Sequence, residues 1–191
     1  MRKLIVSEYV TLDGVMEAPG GEPTHPHTDW VSDYAGQEQL DYKQAETLAA
    51  DVLLVGRVTY ESLADNWPNF TGEFADKMNG MPKVVVSSTL TDPAWNNTTV
   101  MQGDVVKGVT DLKAQDGGPI LVVGSTTLVH TLLENSLVDE LRLMVFPVTI
   151  GSGLRVFPET TKKTPWNMTD TRTLPSGARV DTYQPATEPA A

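Results

Sequence analysis

The chain has 191 residues, with 14 Lys and Arg against 25 Asp and Glu, so its formal net charge is −11. That length predicts one domain with a substantial core. A surface this acidic repels nucleic acid and anionic membranes, so neither is expected as a partner. The sequence contains no cysteine, which excludes disulfides, thiolate catalysis and cysteine-ligated iron–sulfur clusters.

The N-terminal residues do not resemble a targeting signal. Met1-Arg2-Lys3 leads into a short strand-like run, whereas a signal peptide needs an apolar segment and a cleavage site. No stretch approaches the ~20 apolar residues that are needed to span a bilayer. We therefore expect a soluble, cytoplasmic protein.

The first strand is predicted over residues 3–11, and Leu12-Asp13-Gly14 forms a turn after it. A loop rich in proline and glycine follows, from Met16 to about Trp30, and loops of this length in compact domains are usually functional lids or disordered insertions. Asp13 is the acidic group nearest the mouth of this strand. It is either an ordinary turn residue or a group that orients or protonates a substrate.

A helix is predicted over residues 37–50, with Leu40, Ala45 and Leu48 toward the core. The strand that follows it, residues 51–55, is apolar on both faces, as a covered parallel strand should be.

This second strand ends at a candidate phosphate site. Gly56 lets a ligand approach the backbone closely, and Arg57 supplies a planar cation suited to phosphate. Thr59 is the expected N-cap of a helix over residues 60–64, whose free N–H groups and positive dipole end would point to the same place.

The same pattern occurs twice more, with strand ends about thirty residues apart, the length of a βαβ unit. Residues 82–86 form an apolar strand that ends in Ser87-Ser88, and residues 119–123 form another that ends in Gly124-Ser125-Thr126-Thr127. Right-handed crossovers bring such ends to one edge of a parallel sheet, where ligands bind. The three turns therefore predict one anionic ligand.

The remaining elements complete an α/β pattern. A strand over residues 138–148 is the longest, and a hairpin is expected around Pro175-Ser176-Gly177. We predict one domain over residues 1–183 and a disordered tail over residues 184–191. The other predicted elements are a helix over residues 73–79, a strand over 98–101, a helix that Asp104 caps and that runs to residue 114, and hairpin strands over 166–173 and 178–183.

Several common sites are missing from the sequence. No strand is followed by a G-x-G-x-x-G motif, and neither a Walker A loop nor a nucleophile elbow is present. His25 and His27 have no third ligand nearby, so no metal site is predicted. Aromatic and apolar side chains could line a pocket for a flat ring, although lone aromatics are usually core residues; the candidates are Trp30, Tyr60, Trp67 and Ile150.

The three turns resemble, in order and spacing, the NADPH-contacting turns of dihydrofolate reductase. Other stretches are similar to the reductase domain of the bifunctional deaminase/reductase of riboflavin biosynthesis. The resemblance covers residues 2–160 and implies a dihydrofolate reductase-like fold, a three-layer αβα arrangement around a mostly parallel sheet. The first group is residues 55–61, 86–88 and 123–126, and the second is residues 7–14, 137–143 and 147–153.

The resemblance also implies roles for single residues. Arg57 would meet the 2′-phosphate of NADP, with Ser87 and Ser88 beside it, while Thr59 and the amides after Gly124 would hold the pyrophosphate. Hydroxyls in place of a carboxylate after the 82–86 strand favour NADP over NAD. No acidic residue near the first helix clearly matches the proton donor of dihydrofolate reductase, and no basic group awaits a ribosyl phosphate; the acidic residues there are Asp29, Asp33, Glu38 and Asp41.

The sequence leaves two functions open. The first is an NADPH-dependent reductase of a pteridine- or aminopyrimidine-type heterocycle, with Asp13 as an acid whose pKa is raised by partial desolvation. The second is an NADP-binding sensor or scaffold without turnover, while a hydrolase lacks a visible nucleophile–base pair. A homodimer is common among the riboflavin-type relatives, and the 138–148 strand could supply its interface.

Overall fold

A computed structural model describes residues 1–160 and 163–186 of the chain. The strands in this part of the chain are β1 (Leu4–Thr11), β2 (Val52–Gly56), β3 (Lys83–Val86), β4 (Thr98–Met101), β5 (Ile120–Val122), β6 (Glu140–Phe146), β7 (Trp166–Thr173) and β8 (Arg179–Pro185). The helices are α1 (Gln37–Leu48), α2 (Arg57–Asn66), α3 (Glu73–Gly80), α4 (Val105–Ala114) and α5 (Thr126–Glu134), with short 3₁₀ turns at Ser32–Tyr34 and Trp67–Asn69.

The strands form one sheet in the order β4-β3-β2-β5-β1-β6-β8-β7. The pairs from β4 to β6 are parallel, and β8 and β7 join as an antiparallel hairpin at one edge. This confirms the predicted mostly parallel sheet with a C-terminal hairpin. The carboxyl ends of β3, β2 and β5 are neighbours, so their turns lie side by side.

Helices cover both faces of the sheet and form two apolar layers. One face packs against α4 and α5, through residues such as Val109 and Leu132. The other packs against α2 and α3, through Tyr60 and Met78. Central strands are therefore buried on both faces, which explains why β2 is apolar at every position. Within the described residues, none of the helices combines the length and apolar composition that a bilayer crossing requires.

Helix α1 has the predicted extent but the opposite orientation. Leu40 is 48% exposed and Leu48 is 37% exposed, although both were expected to face the core, and Ala45 is exposed as well. The buried residues of α1 are Gln39, Glu46 and Thr47. The helix presents polar groups to the sheet because these groups line a cavity and an ion-pair network, described below.

Three further elements, α2, β6 and β8, differ from the prediction. Strand β6 covers Glu140–Phe146 and is shorter than the predicted range 138–148. Helix α2 begins at Arg57 with Gly56 as its N-cap, so Thr59 lies inside the helix. Strand β6 pairs with β1 on one side and β8 on the other, so it has no free edge to join a second copy. A homodimer stays a prediction, but β6 does not supply its edge.

Strand β8 continues to Pro185, two residues into the range that was predicted as a disordered tail. Residues 187–191 of that range lie outside the described part of the chain.

Candidate active site

The turns after β2 and β5 are in direct contact. The Gly56 N–H donates to the Gly124 carbonyl at 3.1 Å. A Cβ on Gly56 would lie 2.4 Å from the Ser125 Oγ, and one on Gly124, where φ is +99°, would lie 2.7 Å from the Thr59 Oγ1. Both positions need glycine because the neighbouring turn occupies the space of a side chain.

The predicted phosphate residues come together in a cavity of about 460 Å³, which we call the turn cavity. Six of the nine candidates line it: Gly56, Arg57, Ser87, Ser88, Ser125 and Thr127. Of the other three, Gly124 and Thr126 are buried behind it, and Thr59 lines a second cavity. The structure thus brings the three turns together, while their role in binding a cofactor stays a prediction.

The turn cavity offers both backbone and side-chain donors. Helices α2 and α5 both start there, and neither has a side-chain cap on its first turn from its own N-cap residue. The Ser125 hydroxyl lies 3.1 Å from the Thr59 Oγ1 instead, and the Ser87 hydroxyl accepts the N–H of Leu90 at 3.0 Å. Two adjacent helix N-termini suit the negative charges of a pyrophosphate.

Arg57 is the only cation among the described residues that line the turn cavity, and it is already paired. Its Nη1 donates to both carboxylate oxygens of Glu61, at 2.8 and 2.9 Å. The two side chains are 44% and 49% exposed. Because such an exposed pair is weakly held, a phosphate could draw the guanidinium away from Glu61 at low cost.

A second cavity, of about 590 Å³, lies between β1 and α1, and we call it the β1 cavity. Thr59 is the only residue of the predicted turns on its lining. Its walls are largely apolar and carry several polar side chains, as in sites for flat organic molecules. The apolar lining includes Leu53, Leu63, Trp67, Phe74, Met78, Leu121 and Val123, and the polar lining includes Ser7, Glu8, Gln39, Lys43 and Thr47.

Glu8 is the acidic group of this cavity. It is 7% exposed, and its Oε1 has no hydrogen-bond partner among the described residues. Burial raises its pKa to about 8, against the opposing effects of Lys43 and of a hydrogen bond from the Gly124 N–H. Glu8 is therefore mostly protonated at neutral pH and can act as a proton donor.

Lys43 also lines the β1 cavity, is near enough to Glu8 to oppose the rise in its pKa, and is held by a chain of ion pairs. Its Nζ lies 2.6 Å from Glu46 and donates to the Ser7 hydroxyl at 2.9 Å. Burial opposes the charge of Lys43, but Glu46, Tyr9 and Glu8 together outweigh it and raise the lysine pKa. Burial also disfavours the Glu46 carboxylate, but Lys43, Ser7 and Arg142 together outweigh it and lower the Glu46 pKa.

The chain of ion pairs continues from Glu46 to the protein surface. Arg142 contacts Glu46 at 3.2 Å and Glu140 at 2.6 Å, and Glu140 in turn contacts Lys3 at 2.5 Å. Each buried charge therefore has partners, as buried ions require. The network fixes the position of Lys43 beside Glu8.

The structure corrects the predicted state of Asp13. Its carboxylate accepts hydrogen bonds from the Thr11 hydroxyl at 2.5 Å and from the Gly151 N–H at 2.8 Å. The Thr11 hydroxyl, followed by the backbone N–H groups, lowers the Asp13 pKa. Asp13 also does not line the β1 cavity. It fastens the turn after β1 to the Gly151 loop, and the expected raised pKa is wrong.

Only one of the predicted ring-contacting residues lines the β1 cavity, namely Trp67. Tyr60 is buried in the core, and its hydroxyl accepts the Trp95 N–H at 3.0 Å. Trp30 and Ile150 belong to a third apolar cluster around Phe146. These three side chains have structural contacts, and their sequence pattern did not distinguish them from Trp67.

The polar side chains that line the β1 cavity were not predicted from the sequence. Glu8 interrupts an otherwise apolar row of β1 that contains Leu4, Val6 and Val10. A charged residue in the middle of a covered strand is a signal that could have been used. Gln39 and Lys43 gave no such signal, because polar residues are ordinary on a helix.

The described residues contain no group of His, Cys, Asp or Glu that could hold a metal ion. His25 accepts the His27 N–H at 3.0 Å, and its other ring nitrogen lies 3.3 Å from the Ser152 hydroxyl. The two histidines thus belong to the structure of their loop.

The order and direction of the strands, with the hairpin at the edge, define a dihydrofolate reductase-like α/β fold. Dihydrofolate reductase from Enterococcus faecalis, solved with NADP(H) and RAB-propyl, aligns over 97% of both chains with a TM-score of 0.62 and 18% identity. The family model of the RibD C-terminal domain matches residues 2–180, so the protein belongs to this family.

Two other solved structures are similar in fold. A putative riboflavin biosynthesis protein from Shewanella sp. PV-4 has a TM-score of 0.77 and 21% identity, over 97% of this chain and 99% of that one. A pyrimidine reductase-like protein from Corynebacterium diphtheriae has a TM-score of 0.71 and 13% identity, over 98% and 93%.

Two curated proteins from Bacillus subtilis (strain 168) are similar in sequence. The uncharacterized protein YyaP is 27% identical over 184 residues, covering 92% of this chain and 91% of its own. The uncharacterized protein YwjB is 26% identical over 172 residues, covering 90% and 91%.

Proposed function

We propose that the protein is an NADPH-dependent reductase of a flat heterocycle of the pteridine or aminopyrimidine type. Membership of the RibD C-terminal domain family supports a reductase. The neighbours in fold, which include a dihydrofolate reductase solved with NADP(H) and a pyrimidine reductase-like protein, agree with this choice.

The turn cavity fits the phosphates of the cofactor. The N-termini of α2 and α5 supply N–H groups there, Ser87, Ser88 and Thr127 supply hydroxyls, and Arg57 supplies a cation for the 2′-phosphate. Thr59 lines the β1 cavity and touches Ser125 of the turn cavity, so it joins the two. A dinucleotide held by its phosphates in one cavity could therefore reach the other.

The protonated Glu8 in the β1 cavity is the observation that carries the proposal. When bound, the reduced nicotinamide supplies a hydride. Reduction of a C=N bond or a carbonyl also needs a proton, and Glu8 holds one inside an apolar cavity at neutral pH. Lys43 opposes the rise in the Glu8 pKa, so the proton is held less tightly than burial alone would make it.

The alternative of a sensor without turnover rested on the lack of a defined catalytic acid. Glu8 is such an acid, buried in the cavity beside the predicted cofactor turns, so this argument for the sensor no longer applies. We therefore place the reductase first and keep the sensor as an outcome of the experiment.

The experiment is NADPH oxidation with a panel of reduced and oxidised pterins, aminopyrimidinones and simple carbonyl compounds. The reductase is supported if at least one heterocycle is turned over while the carbonyl compounds are not. Tight NADPH binding by calorimetry without oxidation of any compound would support the sensor. No heat from NADPH at a concentration of about 1 mM, where even a weak Kd would be seen, would reject both.

A further inference from the structure

Negatively charged side chains outnumber positively charged ones on the lining of the β1 cavity. Besides Glu8, the lining contains two carboxylates, Glu22 and Asp29, and one cation, Lys43. Lys43 is 14% exposed and its charge is matched by Glu46, which has no place on the lining. A negatively charged substrate group would thus meet two carboxylates and no free cation among the residues that line this cavity.

The Glu22 carboxylate is fixed at the rim by its own contacts. It accepts the Gly20 N–H at 3.0 Å, and its other oxygen lies 3.5 Å from the Ser62 hydroxyl of α2. Glu22 is half-buried, so it cannot turn freely into solvent. Asp29 is exposed and accepts the Ser32 hydroxyl. Both charges therefore stay beside the opening that a substrate must pass.

Two buried polar groups lie beside this lining. The Oε1 of Glu8 and the Oε1 of Gln39 have no hydrogen-bond partner among the described residues, and the two side chains are 7% and 8% exposed. Both oxygens are almost completely buried, so a ligand in the cavity does not reach them. The selection of the substrate charge therefore depends on Glu22 and Asp29.

We infer that the substrate of the β1 cavity is a neutral or cationic heterocycle with no phosphate or carboxylate tail. This inference rests on the proposed function and narrows its substrate class. The carboxylates of Glu22 and Asp29 repel an anionic tail and accept a neutral or cationic ring.

Matched substrates that differ only in the phosphate test this inference. One pair is 5-amino-6-ribosylaminouracil and its 5′-phosphate, and the other is 6-hydroxymethyl-7,8-dihydropterin and its phosphate ester. At saturating NADPH and low salt, we expect kcat/KM to be at least about tenfold higher for the neutral member. The difference should shrink as ionic strength rises, because salt screens exposed charges.

One variant and its control test whether the Glu22 carboxylate causes the preference for the neutral member. Glu22→Lys should raise the ratio of kcat/KM for the phosphorylated member to kcat/KM for the neutral member by about tenfold. Asp170→Lys, which makes the same charge change on exposed β7 at the far edge of the sheet, should alter neither. An equal or higher kcat/KM for the phosphorylated member at low salt would overturn the inference and leave the reductase intact.

A binding measurement separates this inference from the proposed function. Calorimetry without cofactor compares 2,4-diaminopyrimidine with an analogue that carries a carboxylate tail. The inference is supported, even if no compound is reduced, when the compound without the tail binds more tightly and this preference disappears in Glu22→Lys. Equal binding of the two, or binding of neither, overturns it.

Discussion

The two cavities are built from different kinds of parts. The turn cavity is made mainly by short segments at the ends of β2, β3, β4 and β5 and by the helix N-termini that begin there. The β1 cavity takes single side chains from many elements, including Glu8 of β1 and Gln39 and Lys43 of α1. A site made of turns leaves a local pattern in the sequence, whereas a site made of scattered side chains leaves almost none.

The electrostatics of the two cavities differ as well. In the turn cavity, one exposed cation is paired with Glu61 and remains available to an anion. In the β1 cavity, Lys43 is tied to Glu46 and the acid Glu8 is kept neutral by burial. The first cavity suits a charged ligand and the second suits a ring. Substitutions in each cavity can test this contrast.

The largest expected effect is on catalysis. Glu8→Gln keeps the shape of the side chain but cannot give up a proton, so kcat should fall by about 10²–10⁴-fold with the NADPH Kd unchanged. The wild-type kcat should also decline above about pH 8, where Glu8 loses its proton. Glu38→Gln on the exposed side of α1 is the control. A kcat within threefold of wild type, about 0.6 kcal/mol, would contradict the role of Glu8.

The second effect is on stability. Burial raises the Glu8 pKa from 4.5 to about 8, so between these values the folded protein holds a proton that the unfolded chain has lost. The free energy of unfolding therefore falls as pH rises through this window, by on the order of 4 kcal/mol in total. Urea denaturation of Glu8→Gln should lack this part of the slope. Parallel curves for the two proteins from about pH 5 to pH 8.5 would show that Glu8 is not buried as an acid.

The fold was largely predictable because its signals are local and repeated. The apolar strands β2 and β5 each lead through a Gly turn into a helix, as predicted for βα units. The strand before Ser87 leads to β4 with no helix between them, so two of the three expected units form. Helix α1 shows the limit of this approach. Its sequence placed Leu40 and Leu48 inside, but the cavity and the ion pairs of Lys43 and Glu46 required the polar face to turn inward.

The candidate site was predictable only in its backbone part. Arg57, Ser87 and Ser125 reach one cavity because the turns that carry them are neighbours in the sheet. Asp13 and Glu8 both belong to the β1 region, yet burial acts on one carboxyl and hydrogen bonds act on the other. Their opposite pKa shifts depend on contacts with Lys43, Gly124 and Gly151, which are distant in sequence.

The third prediction tests the contact between the two turns. Gly124→Ala adds a Cβ at 2.7 Å from the Thr59 Oγ1 in a backbone with φ of +99°. Gly72→Ala is a matched control, because φ there is +104° and no atom lies within 4 Å of the added Cβ. We expect a loss of about 1 kcal/mol for the control and about 2–3 kcal/mol for Gly124→Ala. Gly124→Ala should also weaken NADPH and NADH alike, and equal unfolding midpoints for the two variants would contradict the steric argument.

The smallest effect concerns the choice between cofactors. Arg57→Ala should weaken NADPH by about 1.5–3 kcal/mol and leave NADH much less affected, because only NADPH carries the 2′-phosphate. Glu61→Gln should strengthen NADPH by up to about 1 kcal/mol, since it frees the guanidinium from its partner. Lys107→Ala breaks another i,i+4 ion pair, which is more exposed, with Asp111 on α4, and should change the binding of neither cofactor. If calorimetry finds equal losses of NADPH and NADH in Arg57→Ala, the guanidinium does not distinguish the two, and the preference for NADPH must come from the hydroxyls of Ser87 and Ser88.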